Sequence, residues 1–127
     1  MRSLASQRQR GETLVSVFTP TLSEHGWTSR RTIVDICTDD APFLVDSVTA
    51  AIAGQGLAAH LLLHPLVSVR RGDDGELIET DAHGGALESW MHLEVDRVPT
   101  DEGRAALKDR LTSVLGDVPA AVDDWAA

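Results

Sequence analysis

"TIVDICTDDAPFLVDSVTAAIAGQG", residues 32–56, passes from a strand pattern to a helix pattern through an acidic turn. "TIVDIC" (32–37) is rich in β-branched residues, which suit the pleated, half-buried surface of a strand. Beyond the turn, Leu44, Val48 and Ile52 recur every four residues, and Val45 and Ala51 widen the stripe. Asp39 or Asp40 is the expected N-cap of this helix, with Pro42 placed where its missing N–H does no harm. Gly54 and Gly56 are expected to end it. The acidic turn itself reads in two ways, as the cap of a helix or as a binding site for a small zwitterion.

Working outward, "TLVSVFT" (13–19) alternates and is stopped by Pro20, so it reads as a strand. "PTLSEHGWTSRR" (20–31) is a polar loop punctuated by Gly26. On the other side, "LAAHLLLHPLVSVRR" (57–71) is an extended apolar run, followed by the turn chemistry of "RGDDGEL". Either Leu77–Thr80 or "ESWMHLEVDRV" (88–98) supplies the next strand. The second alternates better and is preferred, with "DAHGGA" as a loop. A second helix starts at Thr100, with Asp101 and Glu102 suiting the positive end of its dipole. Its stripe is Leu107, Leu111, Val114, Leu115 and Val118. Pro119 is expected to interrupt it, and Val122 and Trp125 to dock from a further short helical piece.

The order strand, strand, helix, strand, strand, helix contains the βαββα part of a ferredoxin-like sandwich. The fourth strand of that fold is missing from the C-terminal end. A hairpin between 13–19 and 32–37 puts the N-terminal strand in its place. The expected class is therefore α+β: a two-layer sandwich with helices on one face of a four-stranded antiparallel sheet. Val34, Ile36, Leu61, Leu63, Val67, Val69, Met91, Leu93 and Val95 are expected to meet the helices. Asp35, Cys37, His60, Leu62, His64, Leu66, Trp90, His92 and Glu94 then lie on the opposite face. Such a mixed face suits contact with another domain or subunit.

The chain has 127 residues, the size of one domain, and 43% are apolar, enough for a core. With 20 acidic against 11 basic residues the net charge is −9, which argues against nucleic-acid and anionic-membrane partners. No apolar stretch approaches the roughly 20 residues needed to span a bilayer. Residues 1–12 read as a polar, mobile leader to a domain over 13–127. The single cysteine, Cys37, excludes an intrachain disulfide framework and fits a reducing cytoplasm.

Chemistry is sparse. His60 and His64 stand about 13 Å apart on an unbroken strand, too far to share one metal. His92 on a neighbouring strand, with Asp35, Cys37 or Glu94, is the one arrangement resembling a zinc shell; a polar interface over His60, His64, Trp90 and His92 needs fewer assumptions. Cys37 beside Asp39 and Asp40 lacks a base and is expected to be structural, and no catalytic residue is assigned. Asp39 and Asp40 as an acid–base pair compete with the simpler cap reading. Arg70 and Arg71 are expected to be solvated. No P-loop or dinucleotide turn is present.

"HGWTSRRTIVDICTDDAPFLVDSV", "LLLHPLVSVRRGDDGEL", "ESWMHLEVDR" and "VLGDVPAAVDDW" resemble the N-terminal region of the large bacterial NAD-specific glutamate dehydrogenases. The likeness runs from about Thr13 to Trp125, with the "DD-x-PFLVDS" and "ESWMH" blocks the most specific. Ala41 stands where methionine is common. The resemblance implies an ACT-like domain, a ferredoxin-like module. It implies a fragment whose parent oxidises L-glutamate to 2-oxoglutarate and ammonia with NAD, the catalytic residues lying elsewhere. This fragment then holds no cofactor and no metal. ACT-like domains bind amino acids at the turn between first strand and first helix, here Thr38, Asp39, Asp40 and Phe43. Helix-start N–H groups suit the carboxylate of such an effector and an aspartate its ammonium group. The usual ACT turn has glycine after the proline, whereas here Phe43 follows Pro42. Partners implied are other domains or subunits of the parent, an amino-acid effector, and a second copy joined sheet edge to sheet edge.

Overall fold

The computed structural model describes residues 2–9, 11–20 and 30–126. After a short helix α1 (Arg2–Ala5) come β1 (Leu14–Phe18), β2 (Thr32–Asp39) and α2 (Leu44–Gly54). Then follow β3 (Ala59–Leu63), β4 (Leu66–Arg71), β5 (Leu77–Thr80), β6 (Ala86–Val95) and α3 (Asp101–Ala126). The strands form one sheet in the order β1-β2-β6-β4-β5, with β3 also on β6, and every pairing is antiparallel. As expected, β1 pairs with β2, Val15 opposite Ile36, on the outer side of β2, the position expected for it.

The two longer helices, α2 and α3, cover one face, and the single-turn α1 lies on the other. Leu44, Val48 and Ile52 of α2 and Leu107, Leu111 and Leu115 of α3 pack with Val34, Ile36, Met91, Leu93 and Val95. Full burial of each such side chain contributes about 1.5–3 kcal/mol, so this layer carries most of the stability. The C-terminus of α2 closes as its glycines suggest: Gly56, at φ 75°, donates to Ala53 O at 3.0 Å, and Leu57 N donates to Ile52 O at 3.2 Å. Thr100 Oγ1 accepts from Gly103 N at 3.0 Å and starts α3 where the sequence places it.

Four expectations are corrected. The 57–71 run divides at His64–Pro65, and its faces are inverted. Leu62 lies opposite Leu93 and joins the helix-side core, whereas Val67 and Val69 pack on the reverse face. Leu61 and Leu63 are 38% and 51% exposed. The register shift between Ala59 and Leu61 sets this parity, and a one-residue slip moves every side chain to the other face. Second, both candidate strands exist, so the sheet has six strands rather than four: β5 pairs outside β4, with Val69 opposite Thr80. Third, α3 runs through Pro119, which removes one backbone bond without ending the helix. The docking expected of Val118, Val122 and Trp125 lies outside the described side chains, and the 20–31 loop largely outside the described residues.

Fourth, the segment expected as a mobile leader is packed. Ala5 is fully buried against Cys37, Val69 and Trp90, and Arg8 is 2% exposed. Backbone bonds hold the segment to the β4–β5 turn: Arg8 N donates to Gly75 O at 3.0 Å and Leu77 N to Ser6 O at 2.9 Å. Its apolar Leu4 and Ala5 find an uncovered half of the sheet, and burying that surface offsets the entropy of ordering.

Candidate functional site

The reverse face of the sheet carries a buried ionic cluster centred on Glu88 of β6. Arg8 Nη1 donates to Glu88 Oε2 at 2.8 Å. Arg71, at the end of β4, adds a fork, with Nε to Oε2 at 2.8 Å and Nη2 to Oε1 at 2.9 Å. Trp90 Nε1 donates to Oε1 at 3.1 Å, and Cys37 Sγ lies 3.4 Å from the same oxygen. Burial alone pushes a carboxyl up. The hydrogen bonds from Arg71 and Trp90 and the charge of Arg8 outweigh it and hold Glu88 down at about 2. Glu88 is therefore an anion at every physiological pH. Burial pushes the Cys37 thiol up to about 12, and the Glu88 carboxylate adds to the effect. A neutral, buried thiol is neither nucleophile nor metal ligand at pH 7, in keeping with a structural cysteine.

The turn residues do not converge. Thr38, 2% exposed, shares a 3.1 Å hydrogen bond with the Thr13 hydroxyl. Asp39 caps no helix. Its Oδ2 accepts from Gly11 N at 3.1 Å, and its Oδ1 lies 2.9 Å from Arg8 Nη2. Asp40 is exposed, and its backbone N donates to Leu87 O at 3.1 Å. The N-cap of α2 is Phe43, with no side-chain cap bond, at φ 67° and ψ 10°. That left-handed conformation is the one glycine takes freely, and it points the phenyl ring outward, 72% exposed. The chain therefore turns into α2 through backbone shape instead of an aspartate cap.

The histidines are dispersed as well. His92 Nδ1 is 2.6 Å from Asp35 Oδ1 on the reverse face, and His64 Nε2 is 2.6 Å from Ser89 Oγ. His60 Nε2 is 2.6 Å from Asp96 Oδ1; this bond, with one from Ala58 N, holds the Asp96 carboxyl below its ordinary range. Among the described residues, no group of three His, Cys, Asp or Glu is placed to hold a metal ion. Trp90, expected on an open face, is 8% exposed beneath the N-terminal segment.

The sequence reading missed Arg8 and Glu88 and took Arg71 as solvated, whereas its side chain is only 10% exposed. Arg70, as expected, is exposed and pairs with Glu79 at 2.9 Å. One signal for Glu88 was present: it alternates with Trp90 on a central strand, so its side chain must enter the reverse face.

The edges of the sheet bear on the expected self-association. β5 covers Val69–Arg71 on the outer side of β4, and β1, β3 and β5 each leave one edge without a partner strand among the described residues; of these, β3 is the one that carries two exposed leucines, Leu61 and Leu63. No helix among the described residues is long and apolar enough to cross a membrane.

Similarity to known proteins agrees with this architecture. A family model described as "Glutamate dehydrogenase, ACT1 domain" matches residues 1–111. The match includes the N-terminal segment, which is part of the packed unit. The chain is 36% identical to an NAD-specific glutamate dehydrogenase of Pseudomonas aeruginosa, over 96% of this chain and 8% of that protein. It is 35% identical to that of Halomonas elongata, over 87% of this chain and 7% of that protein. It is 31% identical to that of Mycobacterium tuberculosis, over 74% and 6% respectively. The chain thus spans less than a tenth of the length of these relatives. With a ferredoxin-like α+β sandwich on one side and this match on the other, the chain belongs to the glutamate dehydrogenase ACT1 domain family.

Proposed function

We propose that this chain is a non-catalytic regulatory domain of a cytoplasmic NAD-dependent glutamate dehydrogenase, acting in amino-acid catabolism through contacts with other domains or subunits. The parent reaction is L-glutamate and NAD to 2-oxoglutarate, ammonia and NADH, with NAD bound elsewhere in the parent. The observation that carries the reading is β3. β3 (Ala59–Leu63) contains no Asp, Glu, Lys or Arg, its His60 is paired with Asp96, and Leu61 and Leu63 are exposed. Proteins normally blunt such an edge with lysine or proline, and an unprotected one suits strand addition by a partner. A second copy joined edge to edge through β3 is the homodimeric form of the same contact.

The test is Leu61→Lys with Leu63→Lys in the full-length enzyme. Both side chains are solvent-facing, so the thermal midpoint of the 127-residue chain should hold. Subunit assembly, read by scattering on dilution, should weaken. Unchanged assembly and unchanged regulation of glutamate oxidation would remove β3 from the account.

A second reading makes the Thr38–Phe43 turn an amino-acid sensor that shifts the enzyme between states. Phe43 favours it: its backbone keeps the shape glycine adopts, and its ring stands outside the turn. Calorimetry against the twenty amino acids tests it. Heat that disappears in Asp40→Ala supports sensing at the turn.

A further inference from the structure

A cavity of about 690 Å³ opens between the N-terminal segment, the β4–β5 turn and the end of β2. Its charged lining is Arg8, Asp39, Arg71, Asp73 and Glu88. On the inner wall the side chains of Arg8, Glu88 and Arg71 are 1%, 2% and 10% exposed. Two guanidinium groups there share one carboxylate, so the buried trio carries one excess positive charge. A buried excess charge requires a counter-charge. Asp39 supplies it incompletely. Its Oδ1 is 2.9 Å from Arg8 Nη2, yet its side chain is 40% exposed. Arg8 Nη2 is buried and meets no acceptor at a hydrogen-bonding angle. The other donors of Arg8 are engaged, Nε with Glu12 O at 2.7 Å and Nη1 with Glu88.

We propose that this cavity binds a small carboxylate-bearing molecule, whose carboxylate displaces Asp39 and completes the hydrogen bonding of Arg8 Nη2. Asp39 then acts as an internal competitor, occupying by charge the position that a ligand occupies by charge and geometry. Arg8 Nη2 is the donor left over, and a free carboxylate can meet its N–H in line, which the tethered side chain of Asp39 does not. The volume suits a molecule of metabolite size. The lining holds two cations and three anions, so singly charged carboxylates are favoured over dianions.

The site lies on the N-terminal side of Asp39, and its test separates it from sensing at the turn. If Asp39 holds a ligand's ammonium group at the turn, Asp39→Asn weakens binding. If Asp39 competes at the cavity, the same substitution strengthens it. The isosteric amide keeps an oxygen for Gly11 N, so the fold is retained. Calorimetry of the 127-residue chain with L-glutamate, 2-oxoglutarate and inorganic phosphate, each alone, supplies the probes. The expected result is binding of L-glutamate ahead of 2-oxoglutarate, tightened roughly three- to tenfold in Asp39→Asn, the size of a half-exposed ion pair. Arg8→Lys, which keeps a charge but loses the Nη2 donor, should lose that gain while its thermal midpoint reports on folding. Weaker or unchanged binding in Asp39→Asn, a preference for phosphate, or no heat from any probe in either protein would overturn the proposal.

Discussion

Arg8 and Glu88, eighty positions apart in the chain, are joined by a 2.8 Å hydrogen bond from Nη1 to Oε2, and both are buried. The bond ties the N-terminal segment to the central strand and makes the family-matched unit one body. Two arginines hold one carboxylate, so removing the acid leaves two buried cations, a more damaging change than the loss of either arginine. Glu88→Ala should cost about 3–5 kcal/mol, read as a fall in the urea midpoint. A cost below about 1 kcal/mol would mean that water reaches the cluster.

The same carboxylate gives the chain an acid limit. Its folded value is about 2, against an ordinary 4.5, so the unfolded state takes up the proton first as pH falls. The contribution of Glu88 is complete above about pH 4.5 and disappears on the way to pH 2, a loss on the order of 3 kcal/mol. Urea midpoints at pH 7, 4 and 3 should decline steeply in the native chain. Glu88→Gln should start lower and decline less over the same window. Parallel curves would assign the acid sensitivity to other carboxyls.

Gly75 makes the docking of the N-terminal segment possible. It sits at φ 88°, and a Cβ there would stand 2.5 Å from Arg8 O, a backbone atom with no freedom to retreat. Gly84 has a similar φ of 74° but open space around it. Gly84→Ala should therefore cost only the strain of the left-handed backbone, about 1–2 kcal/mol. Gly75→Ala should cost more and lift the segment from the β4–β5 turn. Equal costs would show that the segment shifts to accommodate the methyl group.

Cys37 reports on that segment. It is the single thiol in the chain, fully buried, and it packs with Ala5. In the native chain an aromatic disulfide reagent should react only as fast as the structure opens. Deletion of residues 1–9 should speed the reaction roughly tenfold or more, because the reverse face is then uncovered while the helix-side core stays intact. Gly75→Ala should fall between the two. A deletion variant that is as slow as the native chain would show that other residues shield the thiol.

These features mark the limits of sequence reading. The β2–α2 unit and the start of α3 were legible, because β-branched runs, four-residue spacing and Thr100 are local signals. The β1–β2 hairpin was legible because the sandwich lacked a strand and one unassigned strand remained. The parity of 59–69 was not, since Leu61, Leu62 and Leu63 are apolar on both faces and only pairing with β6 decides between them. Nor was Arg8: "SQRQRG" is polar by composition, and no local pattern announces a carboxylate eighty residues away. The turn was legible as a turn but not in detail. Asp39 and Asp40 fit the preferences for a cap, yet Asp39 is drawn to Arg8, and tertiary charge pairing prevailed over local propensity.

Phe43 opens α2 in a left-handed backbone conformation. It holds φ 67° with its ring 72% exposed and no cap bond, so the fold receives little packing in return for the backbone strain. Phe43→Gly removes that strain, about 1–2 kcal/mol, and adds chain freedom in the unfolded state, about 0.4–1 kcal/mol. The net should be a gain of about 0.5–1 kcal/mol, seen as a higher denaturant midpoint. Phe43→Ala keeps the strained backbone and loses the ring, so it should gain nothing. Identical midpoints for the two variants would locate the effect in the ring and not in the backbone. In the full-length enzyme the comparison then separates two uses of this residue. If the ring contacts a neighbouring domain, both variants weaken assembly equally. If the turn is the sensor, Phe43→Gly retains the response to an amino acid.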